Sequence, residues 1–245
     1  MTTTPSILGC VVRTRLDGPE RLEAYAELFK RYEQSILAWL RARPLPPGET
    51  LEDVKQRFFE RALDPGRPGL FANFDPKEGG VRAWLSTCVR NFAKNLREKS
   101  RAQLRNSDLT VALEDEVPSS ITPEAIFERS YALATVLYVL DRQRTTEKDK
   151  VRFDAARRFL PGHPSTNIAE VKAFADAFRL KVGAADNYVK RLRERFGCVL
   201  REVVAETLFL DPRDPGAEAA INAELRVLCA LLSTPLGRRD PEPVQ

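Results

Sequence analysis

Apolar residues recur at three- and four-residue steps through most of the chain, and no run of strict alternation marks a strand. Leu22, Tyr25, Phe29, Tyr32, Ile36 and Leu40 share one helical face over about 20–42, which Pro44, Pro46, Pro47 and Gly48 end. Thr50 is placed to cap a second helix, with Asp53 at the capping-box position and Leu51, Val54, Phe58 and Ala62 as its apolar face. Breaks at Asp64-Pro65-Gly66 and Pro68-Gly69 open a loop that reaches Gly79-Gly80. The third helix has the most complete stripe: Val81, Trp84, Leu85, Cys88, Val89, Phe92 and Leu96.

Residues 104–122 lack a stripe and are expected to link two parts of the chain. Thr122-Pro123-Glu124 reads as cap, first-turn proline and first-turn acid of a helix running through Ile126, Phe127, Tyr131, Leu133, Leu137 and Leu140. A polar stretch, Gln143 to Lys150, precedes Val151 to Leu160, and Pro161-Gly162-His163-Pro164 breaks the chain again. A short helix from Ile168 to Phe178 and a longer basic one carrying Ala185, Val189, Leu192, Phe196, Val199 and Leu200 are separated by Arg179 to Lys181. Those are the dimensions of a helix-turn-helix. A last helix through Ile221, Leu225, Leu228 and Leu232 is expected to dock on the second domain, followed by a Pro-rich tail expected to be disordered.

Charge adds a division that the pattern alone does not show. The net charge of +4 is small, but its parts alternate in sign. Residues 1–106 carry 19 basic and 13 acidic groups, and the whole excess falls in 81–106, with seven bases and one acid. Residues 107–129 carry one base and six acids, residues 130–206 carry 15 bases and 10 acids, and residues 207–245 sum to −2. Two basic blocks joined by an acidic connector suggest two modules that touch a polyanion, although ordinary solvated helix surface has the same look.

Composition narrows the chemistry. Cys10, Cys88, Cys198 and Cys229 are far apart, so neither a metal knuckle nor a dense disulfide framework is formed by spacing. His163 is the single histidine, which removes most His-based metal sites and acid–base chemistry. No nucleophile–base pair or acidic metal cluster is visible, so neither an enzyme nor a cofactor is expected. No apolar run nears the roughly 20 residues of a membrane span, and Met1 to Gly9 has no signal-like pattern. A cytoplasmic protein without membrane insertion is expected.

Three segments carry a resemblance. Leu51-Glu52-Asp53-Val54-Lys55-Gln56-Arg57-Phe58-Phe59 resembles the EDLVQEFF helix of bacterial extracytoplasmic-function sigma factors. Val81-Arg82-Ala83-Trp84-Leu85-Ser86-Thr87-Cys88-Val89-Arg90-Asn91-Phe92 resembles their FRAWLxTxxRNF helix. Phe174-Ala175 through Leu180 and Gly183-Ala184 through Arg193 are similar to their C-terminal helix-turn-helix, and the final helix resembles the extension of one subgroup. The likeness covers about 20–235. It implies an all-α chain of two small helical domains on an acidic linker: 20–106 for core polymerase and the minus-ten element, 107–129 as linker, 130–206 as the helix-turn-helix domain for the minus-thirty-five element, and 207–245 as C-terminal helix and tail. The implied function is that of an alternative sigma factor, which binds core RNA polymerase at its clamp and flap regions and directs it to promoter DNA. An anti-sigma factor is a further candidate partner.

The residues are weighed on the same footing. Asn91, Lys94 and Asn95 share one side of the third helix with Glu98, opposite the stripe. Amides that bond exposed base edges and a cation that attracts phosphate suit a strand taken out of its stack. Arg97, Lys99, Arg101 and Arg105 suit phosphates that position without specifying. Trp84 belongs to the core stripe, whereas Phe71, Asn73 and Phe74 are candidates to hold a flipped base or, equally, to cap the core. The resemblance assigns Asp53, Gln56 and Arg57 to the polymerase face, where Lys55 and Arg57 depart from the family pattern. In the second domain it assigns Lys181, Asn187, Lys190 and Arg191 to DNA. There, Arg179 replaces a turn glycine, Lys181 a capping serine, and Asp186 brings a negative charge toward the backbone. The alternative is a helix-turn-helix nucleic-acid-binding regulator that does not recruit polymerase.

Overall fold

The structure is a computed structural model and describes residues 7–16, 18–46, 48–64, 69–106, 121–160 and 168–233. Among them are nine α-helices and no strand: α1 (Ile7–Arg13), α2 (Pro19–Arg41), α3 (Leu51–Leu63), α4 (Val81–Asn106), α5 (Pro123–Thr146), α6 (Lys150–Ala156), α7 (Ile168–Ala177), α8 (Val182–Leu208) and α9 (Glu218–Ser233). The all-α expectation holds. The helix starts follow from local chemistry. The Thr50 hydroxyl accepts from the Asp53 amide at 3.2 Å while Asp53 Oδ2 accepts from the Thr50 amide at 2.8 Å, which closes the capping box of α3. The Thr122 hydroxyl accepts from the Ala125 amide at 3.1 Å, ahead of Pro123 and Glu124 in the first turn of α5.

The centre of the molecule is the seam where α2 lies along α5. Tyr32 and Tyr131 stack there with centroids 5.1 Å apart and rings nearly parallel, both fully enclosed. Burial pushes both phenols above their ordinary range, so the pair stays neutral. Helices α8 and α9 pack on other sides of α5, α7 packs on α8, and α4 meets α2, α5 and α8. Buried side chains of α1–α4 and of α5–α9 therefore form one continuous cluster. The linker expected over 107–129 lies outside the described residues from 107 to 120, and from Pro123 it is already helix α5. The tail from 234 onward lies outside them as well.

Two features depart from the pattern reading. Helix α1 precedes the expected start of the first domain and buries Ile7, Cys10 and Val11 against α2 and α8. In α5 the buried line is Phe127, Tyr131, Thr135, Val139 and Gln143, at strict four-residue steps, while Leu133 and Leu137 are left exposed. The apolar residues of α5 lie on more than one side, so the stripe through Leu133 and Leu137 does not mark the core face.

Ion pairs also tie the halves. Arg82 of α4 reaches Glu224 of α9 with Nε at 2.7 Å and Nη2 at 3.0 Å, and its Nη1 bonds Glu128 of α5. Burial works against that charge, but the two carboxylates outweigh it and hold the guanidinium above its ordinary pKa. Nearby, Gly80 brings the start of α4 so close to the end of α8 that a Cβ there would sit 2.9 Å from the Thr207 carbonyl oxygen. Removing the Arg82 side chain would leave two mostly covered carboxylates facing each other. We expect Arg82→Ala to lower stability by about 2–3 kcal/mol in urea unfolding followed by circular dichroism, given that the pair is only partly solvent-shielded. A loss below about 0.5 kcal/mol, typical of a surface change, would show that the three helices do not depend on it.

Candidate nucleic-acid interface

The buried side of α4 consists of Val81, Leu85, Val89, Phe92, Ala93 and Leu96. That burial turns Arg90, Asn91, Lys94, Asn95 and Glu98 to the surface. Among the described residues no intramolecular hydrogen bond or ion pair engages Asn91, Lys94 or Asn95. The face is therefore presented with unspent donors and with Lys94 and the neighbouring Arg90 as unpaired cations. Arg97 is half-buried and held by a partner within the chain, so it is less available than its neighbours. The side chains of Arg101 and Arg105 lie outside the described residues.

Beside this face, α3 and α4 diverge around a groove of about 830 Å³ lined by Arg57, Arg61, Asn95 and Lys99, with Glu60, Asp64 and Glu98 among them. A smaller hollow of about 330 Å³ continues it past Arg61, Cys88 and Asn91 toward Leu70. Arg61 is the residue that sequence reasoning missed. Its position one turn after Arg57, on the side of α3 facing α4, is the signal that could have found it. Cys88 does not bring reactivity to the hollow, because burial pushes its thiol up to about 12.

The polymerase-assigned face of α3 is exposed at Asp53, Gln56 and Arg57, but each makes a local bond. Asp53 is the capping-box acceptor, and its hydrogen bonds from Thr50 hold the carboxyl below its ordinary range. Gln56 donates to Glu60 at 2.8 Å and Arg57 to Glu49 at 3.0 Å. Lys55 is anchored by Glu52 at 2.6 Å and by Glu33 of α2 at 3.3 Å, so its charge ties α3 to α2.

Of the two roles open to the loop aromatics, the structure has Phe71 and Phe74 in the core, against the flipped-base reading. Phe71 and Phe74 are buried and cannot hold a flipped base. Phe71 packs on Tyr25, and Phe74 meets Phe71, Trp84 and Phe209 with centroids 5.0–5.9 Å apart. Arg15 donates to the Phe74 carbonyl at 2.6 Å and the Trp84 indole N–H to the Leu70 carbonyl at 2.9 Å, which pins the loop inward. Aromatic area of this size is worth more in a core than in water. Only Asn73 of the three is exposed.

In the C-terminal half, Val171, Phe174 and Ala175 of α7 pack against Ala185, Val189 and Leu192 of α8, with Phe159 edge-on to Phe174. The turn between them is closed by Leu180 N–H to the Ala175 carbonyl at 2.8 Å and Arg179 N–H to the Asp176 carbonyl at 3.2 Å. This Schellman arrangement requires a left-handed residue, and Arg179 takes it at φ 51°. Lys181 then stands at the N-cap of α8 with no side-chain capping bond. Lys181, Asp186, Asn187, Lys190 and Arg191 are all exposed, and Asn187, Lys190 and Arg191 lie at helical spacing on one side. Within the described residues none of these five is engaged by another side chain.

The turn is thus built at a cost that glycine and serine would avoid. We expect Arg179→Gly with Lys181→Ser to raise stability by about 1–2 kcal/mol in thermal or urea unfolding, through the lost left-handed strain and a new cap. Unchanged or lower stability would mean that the arginine makes up that cost in contacts of its own. Among the described residues no group of His, Cys, Asp and Glu side chains is arranged to hold a metal ion, and no helix is long and apolar enough to cross a membrane. Compared with known proteins, the chain matches no family model, no curated protein and no solved structure.

Proposed function

We propose that this chain is an alternative sigma factor, a cytoplasmic, non-enzymatic subunit that binds core RNA polymerase and directs it to promoters. The observation that carries the reading is the α4 face: Asn91, Lys94 and Asn95 stand exposed and unpaired among the described residues, bordering the buried line of Val81, Leu85, Val89, Phe92 and Leu96. Two amides offer hydrogen bonds to unpaired base edges and the lysine offers attraction to phosphate. Lys99 and Arg61 along the adjoining groove offer further cations, interspersed with Glu60, Asp64 and Glu98. The α7–turn–α8 unit supports the second half of the reading. Its exposed Asn187, Lys190 and Arg191 have the chemistry of a recognition helix in the major groove, with Lys181 beside a phosphate at the helix start.

A second reading is favoured by the state of α3. Asp53, Gln56, Arg57 and Lys55 are each satisfied within the chain, which fits a nucleic-acid-binding regulator that does not recruit polymerase. Reconstitution separates the two. With core polymerase from the same source, a stable complex and a promoter-dependent transcript are expected. Absence of both defeats the sigma reading, while retained binding of duplex DNA by the chain alone then favours the regulator. Replacing Asn91, Lys94 and Asn95 together by alanine is expected to leave the fold and core binding intact and to abolish promoter opening. Loss of core binding with the fold preserved would assign those residues to the polymerase instead.

A further inference from the structure

The smaller hollow between α3 and α4 has a composition of its own. Its walls are apolar: Phe58 and Phe92 meet edge to face with centroids 5.2 Å apart, and Cys88, one turn before Phe92, and Leu70 line it as well. Burial keeps the Cys88 thiol protonated, so the walls carry no charge. The polar groups of the lining are Arg61 and Asn91. The two helices present the same spacing, Phe58, Arg61 and Ala62 on one and Cys88, Asn91 and Phe92 on the other, which sets one polar side chain beside each apolar wall. Arg61 and Asn91 are both exposed, and among the described residues neither is engaged by another side chain.

These groups define a ligand. A hollow of about 330 Å³ is at the small end of ligand pockets and suits one flat ring system. The carboxamide of Asn91 sets a donor beside an acceptor, which matches the N7 acceptor and N6 amine on one edge of adenine, whereas the same edge of guanine offers two acceptors. Arg61 is the one charged residue lining the hollow among the described residues, and a guanidinium holds a phosphate through paired N–H donors. The surroundings limit the ligand's length. Beyond the hollow, Arg57, Arg61 and Lys99 are mixed with Glu60, Asp64 and Glu98. A strand that continued along that groove would set successive phosphates against carboxylates, while a single nucleotide ends at Arg61.

We propose that the α3–α4 hollow binds a free adenine nucleotide, with the base against Phe58 and Phe92, its edge bonded by Asn91 and its phosphate held by Arg61. The inference goes beyond the proposed function and does not rest on it. Asn91 is common to the hollow and to the exposed face of α4, so a bound nucleotide takes that amide away from a nucleic-acid strand.

Calorimetric titration of the full chain with AMP, GMP and adenosine tests it. AMP is expected to bind at one site with a Kd below about 1 mM, and GMP at least about tenfold more weakly, the size of one mismatched base edge. Arg61→Ala is expected to weaken AMP at least about tenfold and to leave the weaker binding of adenosine unchanged, because adenosine has no phosphate. Asn91→Ala is expected to remove the preference for AMP over GMP. Both variants keep the circular dichroism spectrum of the wild type, since both side chains are exposed and unpaired. No binding of AMP up to about 5 mM overturns the proposal, as does AMP binding that Arg61→Ala leaves unchanged. A single-stranded oligodeoxyadenylate supplies the other source of the same chemistry. If it binds in an Arg61-dependent way while AMP does not, the hollow belongs to a strand and the free-nucleotide assignment falls.

Discussion

Everything else in the molecule is arranged around the contact of α2 with α5. The stacked pair Tyr32 and Tyr131 fills its middle, Arg31 closes one end over the Tyr138 ring, and Arg43 pairs with Glu124 at the start of α5. Large aromatic side chains contribute most per residue to burial, and their packing fixes the angle and register of the helices that carry them. Once α2 and α5 are fixed, α3 and α4 have one apolar surface to settle on and α7–α9 another. The exposed faces of α4 and α8 follow as the sides those helices do not bury. The positions of the proposed nucleic-acid contacts are thus a consequence of core packing, with no dedicated scaffold.

Charge takes a different role in each half of that arrangement. Arg82, Arg142 and Lys55 are spent internally: Arg82 on Glu128 and Glu224, Arg142 on Glu206 and Glu202, Lys55 on Glu33 and Glu52. Lys94, Lys190 and Arg191 are left over. A sum over the sequence treats these two sets alike, although only the second can meet a polyanion without first breaking a bond. The basic excess of residues 81–106 is therefore smaller in effect than its count, since Arg82 belongs to the core and Arg97 has its own partner.

That distinction marks where the sequence was legible and where it was not. Caps and stripes are local, so the capping box at Thr50 and Asp53, the Thr122-Pro123-Glu124 start and the buried line of α4 could be read from spacing alone. The exposed amides of α4 follow from the same stripe. For Phe71 and Phe74 the sequence leaves base-holding and core-capping open, because a loop aromatic becomes core only when Tyr25, Trp84 and Phe209 arrive from three distant segments. Helix α5 misled for a related reason. Apolar residues on two sides give two stripes, and the choice between them is made by which side α2 takes. Helix α1 is two turns long and gives no stripe worth counting, yet its three buried residues lie in the core.

The position of α1 has a consequence for the order in which the chain assembles. Its first described amide, that of Ile7, donates to Glu206 Oε2 at 3.0 Å, across 199 residues of sequence, and its apolar side is completed by α8. Of the described helices α1 is made before all the others yet is among the last to have its packing completed, because its partner is made about 200 residues later. Contacts of such separation are slow to form. Until then α1 has only α2 to pack on, and the side that α8 covers stays open.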